Sequence, residues 1–255
     1  MTYQRHANSG PSRENLRKRY IPPSSQHALP MRDLLEQIDR GSLQDRQYSM
    51  LSIDAAAAND RGPRINYAGD LNILGRPAIA VIGARDASED GKHRSYQLGK
   101  QLASRGITVV SGLAAGIDRN ALEGAIQAGG KVAAVIGTPI DTAYPAANKR
   151  LQELIAANHL LVSQFPNGSR VFPSNFPARN RTMAALTDAS VIIEASESSG
   201  TLHQAAECKR LGRWLVIAKN MLDNHRAEWP KKFLSYEKCH VLVNTDKLLE
   251  AVYGI

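Results

Sequence analysis

The sequence predicts an α/β protein: a Rossmann-like, doubly wound, mostly parallel sheet with helices on both faces. Three observations carry this. Short apolar runs, many of them β-branched, recur at 79–82, 107–110, 132–136, 160–163, 190–194 and 214–218. Amphipathic helical stretches separate them, and apolar runs alternating with helices are the pattern of parallel βαβ units. The glycine-rich turns all fall where a strand ends, as at Gly83, Gly112, Gly116 and Gly137. That edge of an open α/β sheet is where ligands bind.

Taken in order, residues 1–66 read as a polar, basic arm with short helices. Pro11, Pro22, Pro23, Pro30 and the cluster Arg17-Lys18-Arg19 lie within its first thirty positions. Low hydrophobicity with positive charge predicts a mobile arm there. Leu34, Leu35 and Ile38 give an amphipathic helix over 31–40, a further helix is expected over 47–60, and 59–63 reads as a linker.

The Rossmann-like core is expected over 67–222. After the strand at 79–82, Ser88 is a good N-cap with Glu89 and Asp90 behind it, and Gly106 closes that helix. The strand at 107–110 leads through a glycine turn to a helix at 119–128. Pro145 suits the first position of a helix ending near Asn158. A long connection, 164–177, precedes a helix read over 179–186. Another runs from Gly200-Thr201 to Leu211, capped by Gly212. Residues 223–255 form an extension with one edge strand near 241–243 and a closing helix. Leu249, Val252 and Tyr253 of that helix have two candidate partners, the core or a second subunit.

Composition narrows the function. Formal charge is +8 at neutral pH and the pI is near 9.6, which points to an anionic partner, nucleic acid ahead of membrane. Two unpaired cysteines, Cys208 and Cys239, argue against a disulfide scaffold or a zinc site and fit a reducing cytoplasm. The start lacks the apolar centre of a signal peptide and no 18-residue apolar run exists, so a soluble cytoplasmic protein is expected. The dinucleotide, P-loop and nucleophile-elbow motifs are absent, and the histidines show no metal spacing. No cofactor, no metal and no catalytic residue is therefore expected.

Two stretches carry the candidate site. Ser111-Gly112-Leu113-Ala114-Ala115-Gly116-Ile117-Asp118 is a strand, a tight turn and a helix start. Glycine there accepts positive φ and lets a ligand approach, while free helix-start amides point at an anion. Asn175-Phe176-Pro177-Ala178-Arg179-Asn180-Arg181 packs two guanidiniums and an amide into what reads as a helix start, offering forked donors for phosphate. Arg179 is the more structural of the two arginines in this reading, buried against Glu194.

These stretches, with Gly83-Ala84-Arg85, Ile136-Gly137 followed by Asp141 and Tyr144-Pro145-x-x-Asn148, Ser163-Gln164-Phe165-Pro166, and Ser199-Gly200-Thr201-Leu202, resemble the DNA-processing DprA (Smf) family. The resemblance spans about 67–218. It implies a Rossmann-like fold that binds single-stranded DNA at a basic pocket, dimerises, and loads a RecA-type recombinase during natural transformation. The candidate DNA- and phosphate-binding residues are Gly83, Arg85, Ser111, Gly112, Gly116, Arg119, Lys149, Arg179, Asn180, Arg181, Ser199, Gly200 and Thr201.

Several positions depart from the family pattern. Ala115 stands where the family has arginine, Leu122 where it has histidine, and Lys219-Asn220 where it has Pro-Gly. The stretch after 222 is too short for the family's winged-helix domain. The wider group includes cytokinin-activating phosphoribohydrolases, whose Gly-Gly-x-Gly-Thr-x-x-Glu turn ends in a catalytic glutamate. Gln204 occupies that place here, and an amide cannot exchange the proton at neutral pH. A nucleotide-sensing module without turnover is the alternative to DNA binding, and a nucleotide phosphoribohydrolase ranks below both.

Overall fold

A computed structural model describes residues 20–38, 64–197, 199–224 and 227–255. The basic cluster at 17–19, the expected helix at 47–60 and the linker at 59–63 lie outside the described residues. The chain enters as strand β1 (His27–Pro30), helix α1 (Met31–Gln37) and strand β2 (Arg64–Gly69). The alternating core follows: β3 (Ala78–Ile82), α2 (Glu89–Ser104), β4 (Thr108–Ser111), α3 (Ile117–Gln127) and β5 (Val132–Ile136). Then come α4 (Lys149–Asn158), β6 (Leu160–Ser163), α5 (Asn175–Ala185), β7 (Ala189–Ile192), α6 (Thr201–Arg210) and β8 (Trp214–Ala218). A short α7 (Lys219–Leu222), β9 (Cys239–Leu242) and α8 (Thr245–Tyr253) close the chain.

All nine strands form one sheet in the order β1-β2-β6-β5-β4-β3-β7-β8-β9. From β6 to β9 the neighbours run parallel, and β2 pairs antiparallel with both β1 and β6. The central strands are buried on both faces, which is why they read as unbroken apolar runs. In β3, Ala78, Ala80 and Ile82 face the core under α1, α5, α6 and α7, whereas Ile79 and Val81 face the core under α2, α3, α4 and α8. Ser88 Oγ accepts from the Gly91 amide at 3.0 Å, so the expected cap does start α2.

Two expectations change, and one of two readings left open for the closing helix is met. The sheet starts before residue 67, because β2 buries Ile65 and Ala68 while pairing along β6, and β1 pairs along β2. Helix α5 begins at Asn175 instead of 179. Pro177 lies in its first turn, where a missing N–H costs no intrahelical bond. The closing helix packs on its own chain: Leu249 is buried, Val252 and Tyr253 rest on the same core, and Tyr253 donates to Asp188 Oδ2 at 2.8 Å. That Asp188 oxygen also accepts from the Ala78 amide at 2.8 Å, tying α8 to the start of β3. Among the described residues no helix is long and apolar enough to cross a membrane, and no cluster of His, Cys, Asp or Glu is set to hold a metal.

Candidate nucleic-acid interface

β3 lies between β4 and β7, so the order of strands reverses between β3 and β7. Crossovers leave this point toward opposite faces and open a crevice at the strand ends. A cleft of about 580 Å³ occupies it. Gly83, Ala84 and Arg85 border it after β3, and Glu194 to Ser196 with Ser199, Gly200 and Thr201 after β7. Phe176, Pro177, Arg179 and Asn180 of α5 form a third wall.

The loop after β3 is pinned by its backbone. Ala84 N–H donates to the Glu194 carbonyl at 2.7 Å, and Ile117 N–H donates to the Ala84 carbonyl at 3.2 Å. A Cβ at Gly83 would strike Ile117 and that Glu194 carbonyl. Arg85 is thereby projected, exposed, over the cleft mouth. Its guanidinium lies 5.0 Å from the centroid of the Phe176 ring. Tyr144, itself exposed, places its ring 5.5 Å from Phe176, and both rings border with Arg85 a hollow beside the cleft. A cation and two aromatic rings thus share one lip. Phe176 and Tyr144 were not picked out as site residues from the sequence, although an aromatic beside clustered arginines is the composition of a base-stacking surface.

The glycine turn serves a different purpose from the one expected. Asp118 Oδ2 accepts from Gly112 N–H at 3.1 Å and Ala114 N–H at 3.3 Å. The turn's own carboxylate therefore takes amides that would meet an external anion. Gly116 adopts φ +72°, and a Cβ there would collide with the carbonyls of Ala84 and Arg85. Ser111 is fully buried, its hydroxyl donating to the Val81 carbonyl at 2.6 Å. Ser111, Gly112 and Gly116 build the cleft from behind and do not line it.

Arg179 is buried, as expected, but not against Glu194. Its Nη1 donates to the carbonyls of Gly112 and Val135, each at 2.6 Å, and its Nε donates to Asn180 Oδ1 at 3.0 Å. Glu194 instead accepts from Ser88, N–H at 3.0 Å and Oγ–H at 2.6 Å. The charge facing Arg179 is Asp118. Burial pushes the Asp118 carboxyl above its usual range, with the Arg179 charge and the amides of Ala114, Gly83 and Gly112 pulling it down. Asn180 donates from Nδ2 to the Gly200 carbonyl at 3.1 Å and fixes α5 to the start of α6. Ser199 Oγ donates to Thr201 Oγ1 at 2.8 Å and accepts from Thr201 N–H at 3.2 Å, which shapes that rim.

Three basic candidates stand apart from the cleft. Arg181 turns to α6 and pairs with Glu207 at 3.3 Å, which Arg210 also holds. Residues two apart on a helix do not share a face, so Arg179 and Arg181 cannot meet at one phosphate. Arg119 pairs with Glu123 at 2.8 Å and reaches Asn148 at 3.3 Å, and Lys149 opens α4 without bordering the cleft. Gln204 is fully buried, donating to Ser190 Oγ at 2.9 Å, and does not reach the cleft. Ala115 borders a hollow of about 60 Å³ between Tyr144, Phe176 and Gly137, beside the main cleft.

The sequence profile described as DNA recombination-mediator protein A matches residues 42–253. The DNA processing protein DprA of Streptococcus pneumoniae (strain ATCC BAA-255 / R6) is 42% identical over 147 residues, 58% of this chain and 52% of that protein. The X-ray structure of DprA from Streptococcus pneumoniae superposes with a TM-score of 0.68 at 33% identity, covering 75% of this chain and 67% of that one. A structure of DprA from Helicobacter pylori, described for its single-stranded DNA binding mode, superposes with a TM-score of 0.67 at 25% identity over 76% of this chain and 88% of that one. The chain spans about half the length of the curated relatives it matches. With a profile match running from before β2 into α8, the chain belongs to the DNA recombination-mediator protein A (DprA/Smf) family.

Proposed function

We propose that the chain binds single-stranded DNA at the cleft between β3 and β7, with a phosphate against Arg85 and a base against Phe176 and Tyr144. The observation that carries this is the Arg85–Phe176 pair at the mouth of the strand-reversal crevice. Stacking on an aromatic face is tolerant of sequence, and a duplex does not offer its bases for it. The net charge of +8 and the relative from Helicobacter pylori described for single-strand binding support the same reading.

The chain carries no chemistry of its own in this proposal, since the amide of Gln204 is committed to Ser190 and stands away from the cleft. Transfer of the bound strand to a RecA-type recombinase, and dimerisation, are supported by family membership. Fluorescence anisotropy with single- and double-stranded oligonucleotides across a salt series tests the core claim. Single strands should bind more tightly, with log affinity falling by about 0.7 per neutralised phosphate against log salt. Preferential duplex binding overturns the proposal. Competition by nucleoside monophosphates with no effect of added DNA would favour the nucleotide-sensing alternative.

A further inference from the structure

We propose that a second groove, on the α2 side of the same sheet edge, carries the continuation of the strand held in the main cleft. The proposal rests on the reading of that cleft as a single-strand site. The groove encloses about 430 Å³ beyond the ends of β8 and β9. Its walls include His93, Arg94 and Gln97 of α2, Lys219 and Asn220 of α7, and Asn244 at the start of α8.

Charge separates this groove from its neighbours. No carboxylate borders it among the described residues, whereas the main cleft holds Asp86, Asp118 and Glu194 beside its two arginines. On α2 Lys92 is held by Glu89 at 2.6 Å, and just past its end Arg105 is held by Asp246 at 2.5 Å. Arg94 lies between them and Lys219 faces it across the groove. Both are exposed, and neither has an ion-pair partner among the described residues. Uncompensated cations in a concavity focus potential toward a polyanion. The amides of Gln97, Asn220 and Asn244 add donors and acceptors with no preference for one base.

The two grooves lie on either side of shared backbone segments. Ile193 borders the second and the next residue, Glu194, borders the first. Lys219 and Met221, on one turn of α7, are divided between them in the same way. A flexible strand leaving the cleft crosses one backbone ridge to reach Arg94 and Lys219.

The test compares oligothymidylates of about 6 and about 20 nucleotides, short and long against known single-strand site sizes. The variant Arg94→Gln/Lys219→Gln should bind the long strand about tenfold more weakly, with a salt slope lower by about 1.4 for two lost phosphate contacts. The short strand should bind within about twofold of wild type, because it is held in the main cleft alone. A control, Lys131→Gln/Lys231→Gln, removes the same charge at exposed positions that do not border either groove and should leave both lengths unaffected. Unchanged long-strand binding overturns the inference while leaving the main cleft standing. So does equal weakening of both lengths, which would mark a general charge effect. Wild-type protein that binds neither length overturns both readings.

Discussion

Arg179 fills the space that a Cβ on Gly112 would require, and its Nη1 donates to the Gly112 carbonyl at 2.6 Å. The guanidinium is buried and anchored to Val135 as well, so it has little freedom to yield. Gly112→Ala should therefore destabilise the fold by about 1–3 kcal/mol, the usual cost of overpacking. At about 2–4 °C per kcal/mol for a chain of this size, a melting curve resolves the change. A melting temperature equal to wild type would mean that the guanidinium moves freely.

Removing Arg179 should cost more than crowding it. Arg179→Met strands the buried carbonyls of Gly112 and Val135 and removes the positive charge that offsets the Asp118 carboxyl, at about 1–3 kcal/mol for each buried group left unsatisfied. Asp118→Asn added to that variant should restore part of the stability, since the remaining group is neutral. Denaturant titration of both single variants and the double variant measures the coupling. Additive losses would deny that the pair acts as a unit.

Arg85 and Phe176 should matter for binding and hardly at all for folding. Arg85→Ala should weaken single-strand affinity about tenfold and lower the salt slope by about 0.7. Phe176→Ala should weaken it by about 1–3 kcal/mol with the slope unchanged, because stacking neutralises no phosphate. Arg181→Ala should leave affinity as it is, its guanidinium being held by Glu207. Loss of binding in Arg181→Ala with none in Arg85→Ala would put the strand on the α5–α6 face.

His159 sets a pH dependence. Burial lowers its pKa from 6.5, with the Lys131 charge acting in the same direction. The folded state thus favours neutral imidazole, and the unfolded chain takes up a proton first as pH falls. Stability from this group is full above the unfolded pKa and declines as pH drops from there toward the lowered folded value. His159→Gln should flatten the melting temperature between about pH 7 and pH 5 relative to wild type. An equally steep fall in the variant would assign the acid sensitivity to other groups.

Much of the sheet was legible because a parallel strand covered on both faces must be apolar throughout. The runs at 132–136, 160–163 and 214–218 coincide with β5, β6 and β8. β2 was not, since Asn66 and Tyr67 interrupt its apolar pattern and its pairing comes from β6, nearly a hundred residues on. The site was half legible. Gly83, Arg85, Asn180, Ser199, Gly200 and Thr201 do border one cleft, as the strand-end rule predicts. The start of α5 was misread because Pro177 looks like a stop. Arg179 was still read as the buried member of the pair; its partners, the carbonyls of Gly112 and Val135, and the hold of Glu207 on Arg181 come from distant segments and were not legible. A turn's amides likewise do not announce whether their anion is a ligand or an aspartate a few residues downstream.

The two lips of the cleft are not made at the same time. β3 pairs in register with β7, and the bond from Ala78 N–H to Asp188 spans 110 residues of chain. On a ribosome adding about 5–20 residues each second, roughly 6–20 s separate the emergence of those lips. Through that interval β3 has β4 along one edge and nothing of its own along the other, a bare apolar strand of the kind that invites pairing with other chains. Loss of chain entropy on closing so long a loop adds a further kinetic step before the crevice exists. Capacity to hold a ligand is therefore acquired late in biogenesis, when the nascent chain has already completed the first four parallel strands.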